Sequence, residues 1–154
     1  QKPTLVLRDY HAENLIWLPK RNKNKRVGLL DYQDALAGHP AYDLASLLKD
    51  ARRDVSFKLR DELTHYFLKQ TKFDKELFLR DYSILSAQRN LKIIGIFARL
   101  SIRDNKPGYL NLIPRVWKNL QDDLLHPSLT ELSSFIKINV PEPTVSTLQK
   151  INSV

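Results

Sequence analysis

Three observations in this sequence predict a mainly α fold that carries a small β-hairpin near its N-terminus. From Asp43 onward, apolar residues recur at spacings of three and four, the mark of helices with one buried face. Before that point, two short apolar runs, Leu15-Ile16-Trp17-Leu18 and Val27-Gly28-Leu29-Leu30, flank a polar, Asn-containing connection, the pattern of a hairpin. The 154 residues are 42% hydrophobic and 27% charged, a globular balance in a chain long enough for one domain with a real core.

In chain order, Thr4 to Leu7 reads as a buried strand or the approach to a loop, and Arg8 to Glu13 is polar and irregular. Leu15–Leu18 and Val27–Leu30 are the hairpin strands. Their pairing would bring the flanking residues Asn14 and Asp31 close together. Asp31 to Pro40 reads as a loop punctuated by Gly38 and Pro40. Leu44, Leu47 and Leu48 begin the helical body. A helix over Phe57–Lys69 places Leu59, Leu63, Tyr66 and Phe67 on one face. Lys75 to Arg103 is long and mostly apolar, a central buried helix or two end to end, broken by Asp104-Asn105-Lys106-Pro107-Gly108. Helices over Tyr109–Leu125 and Pro127–Ile138 follow. The expected domain is residues 1–138, with 139–154, carrying Pro141 and Pro143, as a loosely held tail.

The net charge of +8 is spread along the chain, with one dense run at Lys20-Arg21-Asn22-Lys23-Asn24-Lys25-Arg26. Set between two apolar runs, it reads as a solvated hairpin turn; no nucleic-acid motif accompanies it, and no nucleic-acid partner is expected. The absence of Cys excludes disulfides and thiolate metal sites. No run of eighteen apolar residues exists and nothing at the N-terminus reads as a signal peptide, so the expectation is a cytoplasmic protein with no membrane partner. The first residue is Gln, which suggests a processed product or a piece of a longer chain.

The stretch R-D-Y-H-A-E-N followed by V-G-L-L-D carries the chemistry. Asp9 and Asn14 stand five apart in the irregular segment, and Asp31 closes the next apolar run. This is the layout of phosphoryl-transfer sites of the kinase type: an Asp takes the acceptor hydroxyl's proton, an Asn five residues on binds Mg²⁺, and an Asp after the next strand binds Mg²⁺ at the nucleotide phosphates. Mg²⁺ is a hard cation that takes oxygen ligands and keeps several waters, so one carboxylate and one amide oxygen from two adjacent loops hold it without caging it. The alternative for the three residues is polar loop residues that cap turns.

With G-H-P-A-Y-D-L-A added, residues 38–45, the sequence resembles the aminoglycoside phosphotransferase family of kinase-like enzymes. The later segment A-Q-R-N-L-K-I-I-G-I-F-A-R-L, Ala87 to Leu100, with R-D-N-K-P-G-Y-L after it, is similar to bacterial kinases that act on the cell-wall amino sugars N-acetylmuramate and N-acetylglucosamine. The resemblance covers roughly Thr4 to Leu125. It implies a fold that is the C-terminal lobe of a protein-kinase-like enzyme, with ATP as co-substrate, Mg²⁺ as cofactor and a sugar hydroxyl as acceptor. It implies Asp9 as catalytic base, Asn14 and Asp31 as the ligands of Mg²⁺ and its nucleotide, Asp43 as a carboxylate bracing the catalytic loop, and His11 as a structural loop residue. Arg8 fills a position that varies in the family between Arg and Gly.

The sequence departs from that pattern twice. The His usual two residues before the catalytic Asp is Leu7. The N-terminal lobe that covers the phosphates is absent, as is any glycine-rich loop, the only glycines being Gly28, Gly38, Gly95 and Gly108. That lobe is expected from a longer form of the chain or a separate chain. Candidate substrate contacts are Asp34, more readily a surface or loop-bracing carboxylate; His39, equally a turn residue; and Arg89 and Asn90, polar punctuation in an apolar helix that either contacts a bundle edge or, the favoured reading, faces a cleft. Arg52 and Arg53 could meet an anionic sugar substituent but more readily form an exposed helix end. His65 and His126 read as surface or satisfied residues, and Trp17 and Trp117 as core rather than sugar-stacking platforms. Two other functions stand beside the amino-sugar kinase: a degenerate lobe kept as a binding module whose basic surface meets an anionic partner, and an antibiotic kinase of the aminoglycoside type.

Overall fold

The computed structural model describes residues 3–153 and is mainly α with two small antiparallel β-ladders. Strands β1 (Thr4–Val6), β2 (Leu15–Trp17), β3 (Val27–Leu29) and β4 (Leu36–Gly38) come first. Helices α1 (Ala41–Leu48), α2 (Phe57–Gln70), α3 (Lys75–Asp104), α4 (Ile113–Asp123), α5 (Thr130–Asn139) and α6 (Val145–Asn152) follow. The chain divides into two compact units, residues 1–78 and 79–154. Among the described residues no helix is long and apolar enough to cross a membrane.

In the first unit the ladders are nested in sequence. β2 pairs with β3 as the expected hairpin, with Leu15 opposite Leu29 and Trp17 opposite Val27. β1 pairs with β4 around it, with Thr4 opposite Gly38 and Val6 opposite Leu36. The segment expected as an open loop from Asp31 to Pro40 therefore contains a strand. Its three residues are too few to show an alternation, and their partner lies about thirty residues upstream. Gly38 allows a close approach there, since a Cβ on it would stand 3.1 Å from the Val6 side chain and press it aside.

The expected burial of β1 fails at Leu5, which is 72% exposed while Val6 is buried. A two-stranded ladder buries one face at most, so alternate residues face out. Trp17 is 62% exposed rather than core, and Ile16 beside it is 43% exposed, so neither face of β2 is buried there; the Arg26 guanidinium lies 5.9 Å from the Trp17 ring centroid. The basic run is a solvent-exposed 3₁₀ turn at Lys23–Arg26.

Helix α1 buries a stripe of small residues, Ala41 and Ala45, with Leu48 one turn further. Ser56 caps α2 through its Oγ, which accepts from Leu59 N–H at 3.3 Å. The face expected on α2 is only partly buried: Leu59, Leu63 and Tyr66 stay exposed. Phe67 instead joins a ring cluster with Phe73 and Phe78, centroids 5.3–6.1 Å apart, and His39 stands 5.8 Å from Phe78.

Helix α3 is one continuous helix of 30 residues, which settles the choice between one helix and two. Asp74 starts it by accepting Leu77 N–H at 2.9 Å. Asn105 ends it at φ 51°, and Lys106 N–H reaches back to Leu100 O at 3.1 Å. In the second unit, Ala87, Leu120, Leu124, Leu129 and Ile136 form the core, with Leu91, Ile94, Trp117, Leu132 and Val140 packed on it. Inside the same unit lies a polar knot. Asp123, 2% exposed, accepts from Ser86 Oγ at 2.7 Å and from Asn90 Nδ2 at 2.8 Å. Beyond residue 139, Thr144 caps α6 by accepting Thr147 N–H at 3.2 Å.

A buried carboxylate survives only where donors surround it, and its removal strands those donors. Asp123→Ala should therefore cost about 3 kcal/mol of stability, read as a lower urea midpoint, whereas the exposed Leu125→Ala should change it by less than about 0.5 kcal/mol.

Candidate active site

The nested ladders define the site. The chain leaves β1 into residues 7–14 and leaves β3 into residues 30–35, so the two loops emerge from adjoining strand ends. Leu30 N–H donates to Asn14 O at 2.9 Å, extending the hairpin ladder by one rung. That bond places Asn14 across from the residue just before Asp31.

The first loop has almost no regular structure, so its backbone donors need side-chain acceptors. Asp43, in the first turn of α1, supplies two. Its Oδ2 accepts Leu7 N–H at 2.6 Å and its Oδ1 accepts Arg8 N–H at 2.9 Å. These bonds hold Arg8 at φ 70°, in the left-handed region that favours glycine. At that angle Gly would carry less strain than Arg. Asp31, at φ 55°, is the second strained residue of the pair of loops. Non-Gly residues at positive φ collect where surrounding bonds over-determine the backbone, and two of the four in the described chain flank this site.

Asn14 ends a 3₁₀ turn, Ala12–Asn14. Its Nδ2 donates to Asp9 O at 2.9 Å and lies 3.4 Å from His11 Nε2. The amide nitrogen is thus taken up within the loop, and among the described residues nothing hydrogen-bonds to Oδ1. A bare amide oxygen beside a carboxylate-bearing loop suits a hard cation. Asp9 is exposed, and no hydrogen bond engages its carboxylate among the described residues. Asp31 Oδ1 accepts from Gln33 Nε2. Among the described residues no group of three or more His, Cys, Asp or Glu side chains could hold a metal, so a metal here would rest on the Asn14 and Asp31 oxygens and on water.

The remaining candidates scatter. Asp34 is exposed on the turn closed by Ala35 N–H to Tyr32 O at 3.1 Å, three residues beyond Asp31. His39 Nδ1 accepts Ala41 N–H at 3.2 Å and supports the start of α1. Asn90 is 1% exposed and its amide is engaged with Asp123 inside the second unit, and Arg89 is 7% exposed. Arg52 Nε pairs with Glu13 Oε2 at 2.9 Å, while Arg53 is exposed. His65 Nδ1 lies 2.9 Å from Asp61 O, and His126 Nδ1 accepts Ser128 N–H at 3.2 Å. Sequence reading missed Asp50, which is buried and accepts Ala12 N–H at 3.1 Å through Oδ2. It lies in the turn just past α1, seven residues after Asp43, among charges that gave no signal of burial.

The model of the phosphotransferase enzyme family matches residues 1–82, the part that contains both loops and α1. The chain belongs to the phosphotransferase enzyme family. Within it, the chain is 48% identical over 138 residues to an N-acetylmuramate/N-acetylglucosamine kinase of Caulobacter vibrioides, covering 89% of this chain and 38% of that protein. It is 38% identical over 146 residues to a kinase of the same name from Pseudomonas aeruginosa, covering 88% of this chain and 41% of that protein. A Neisseria meningitidis protein of that name is 39% identical over 125 residues, 75% of this chain and 35% of its own length. The chain therefore spans about two fifths of the length of these phosphotransferase relatives.

Two predictions come from the loop. Asp43→Ala strands two backbone donors and should cost about 2 kcal/mol, seen as a lower denaturation midpoint. Tyr10, half-buried, has its phenol pushed above the ordinary 10.0, first by burial and then by the Asp43 carboxylate. The folded state thus favours the neutral phenol. Its contribution is whole below the unfolded value and is lost as pH rises through the raised one. Tyr10→Phe should accordingly flatten part of the alkaline loss of stability, measured by urea midpoints at about pH 9 and about pH 11.

Proposed function

We propose that this chain is the C-terminal lobe of a protein-kinase-like phosphotransferase that moves the γ-phosphoryl group of ATP to a hydroxyl of a cell-wall amino sugar. The observation that carries the reading is the Asn14 amide, turned by the Asp9 carbonyl so that Oδ1 is left bare one ladder rung from the Asp31 loop. The family match over these loops and the names of the relatives support it.

In this reading Asp9, open to solvent and unengaged, accepts the proton of the attacking hydroxyl. Asn14 Oδ1 and the Asp31 carboxylate hold Mg²⁺, which when bound neutralises charge on the transferring group. Asp34, exposed beyond Asp31, is available to the sugar side. The lobe runs to residue 138, with α6 as an appendage, and the part that covers the phosphates is supplied by residues outside this chain, in keeping with the greater length of the relatives. A place in cytoplasmic cell-wall recycling follows from the proposed substrate.

The test is Mg²⁺-dependent ATP turnover with N-acetylmuramate, N-acetylglucosamine and an aminoglycoside, run on this chain and on a longer form that includes a phosphate-covering lobe. Turnover of an amino sugar in at least one form is expected, and Asp9→Asn should lower kcat by about 10²–10⁴-fold without unfolding the protein. Full activity in Asp9→Asn would overturn the assignment of the base. Preference for the aminoglycoside would overturn the substrate.

A further inference from the structure

The catalytic loop is tied to the chain at a second place, well away from Asp43. Asp50, just past the end of α1, is 2% exposed. Its Oδ2 accepts Ala12 N–H at 3.1 Å, and its Oδ1 accepts Arg52 N–H at 2.9 Å. The Arg52 side chain returns to the same loop, its Nε 2.9 Å from Glu13 Oε2. Ala12, Glu13, Arg52 and Asp50 thus form a closed ring in which adjacent loop residues are held by residues two apart.

The ring sits at the start of the 3₁₀ turn that delivers Asn14. His11, in the N-cap position of that turn, gives no side-chain cap, and Asn14 N–H closes the turn on His11 O at 3.0 Å. A three-residue 3₁₀ turn has little stability of its own, and its first N–H needs an acceptor. Asp50 is that acceptor, through Oδ2. Asp43 holds the beginning of the loop and Asp50 its end.

We infer that Asp50 is a positioning residue: it acts through the Ala12–Asn14 turn to set the Asn14 amide oxygen, and Arg52 with Glu13 keeps that turn from rolling. The inference rests on the proposed phosphotransferase reading for its effect on rate, while its structural half stands on the bonds alone. Losing the partner that orients a metal ligand costs metal affinity or activity by about 10–100-fold. Removing Asp50 should therefore act on the Mg²⁺ requirement and on kcat and leave the affinity for the sugar in place.

The experiment uses Asp50→Ala and the shape-preserving Asp50→Asn in whichever form of the protein turns over ATP, together with amide hydrogen exchange on this chain. Expected for Asp50→Ala are a rise of about tenfold or more in the Mg²⁺ concentration for half-maximal rate, a fall of about tenfold or more in kcat, and a sugar KM within about twofold of the original. The Ala12 amide should exchange at least about tenfold faster while α4 and α5 amides keep their rates. Asp50→Asn, which keeps one acceptor oxygen and the volume, should fall between the two and covers the case in which Asp50→Ala does not fold. An unchanged Mg²⁺ requirement in a folded variant, or an equal loss of stability and rate with no change in that requirement, would overturn the positioning role. If no form turns over an amino sugar, the phosphotransferase reading fails by itself and exchange decides the rest: an Ala12 amide unaffected by Asp50→Asn and Asp50→Ala overturns the brace, and a faster one upholds it.

Discussion

The structure around the candidate site depends on one constraint: the backbone from Leu7 to Glu13 must satisfy its N–H groups without a helix or a sheet to do it. An irregular segment next to a packed helix cannot leave donors bare, because each would carry the desolvation cost of a lost hydrogen bond. Carboxylates of α1 and of the turn after it meet that demand. Asp43 takes Leu7 and Arg8, and Asp50 takes Ala12. The loop's shape is therefore dictated from outside its own sequence, and that is how Arg8 can sit at φ 70° without a glycine.

The same bonds connect packing to chemistry. Helix α1 is pinned by Ala41, Ala45 and Leu48, whose small inner stripe lets the helix lie close to its neighbours. Asp43 and Asp50 extend from that anchored segment into the loop. What they hold in place is an Asn14 amide with its nitrogen turned inward and a free Asp9 carboxylate. A packed helix behind an irregular loop is what gives the loop's side chains a fixed direction, and it needs no further scaffold from the loop itself.

Much of this was legible in the residues, and the reasons separate by range. The hairpin of Leu15–Trp17 with Val27–Leu29 follows from two apolar runs and a turn, all local, and so do the helices of the body. Strand β4 was not legible, because Leu36-Ala37-Gly38 is short and its partner β1 lies a whole motif away. The exposure of Trp17 and Leu5 was missed for a related reason: type alone says apolar, and only what packs against a two-stranded ladder decides which residues meet water. Asn90 shows the converse. A polar residue in an apolar helix can face a cleft or an internal partner, and Asp123, thirty-three residues on, supplied the partner.

Asp50 illustrates why charge in the sequence is a poor guide for residues of this kind. In the sequence it sits among Lys49, Arg52, Arg53 and Asp54 and looks like one charge in a solvated helix end. Its burial and its bond to Ala12 separate it from those neighbours. Asp43 braces the loop from inside α1, and Asp50, seven residues on and in the turn past the helix end, is the second brace. The first carboxylate fixes where the loop begins; only the second fixes the angle at which its last residue arrives. The two together turn a single tether into a frame, and the Asn14 amide has a defined direction only inside a frame.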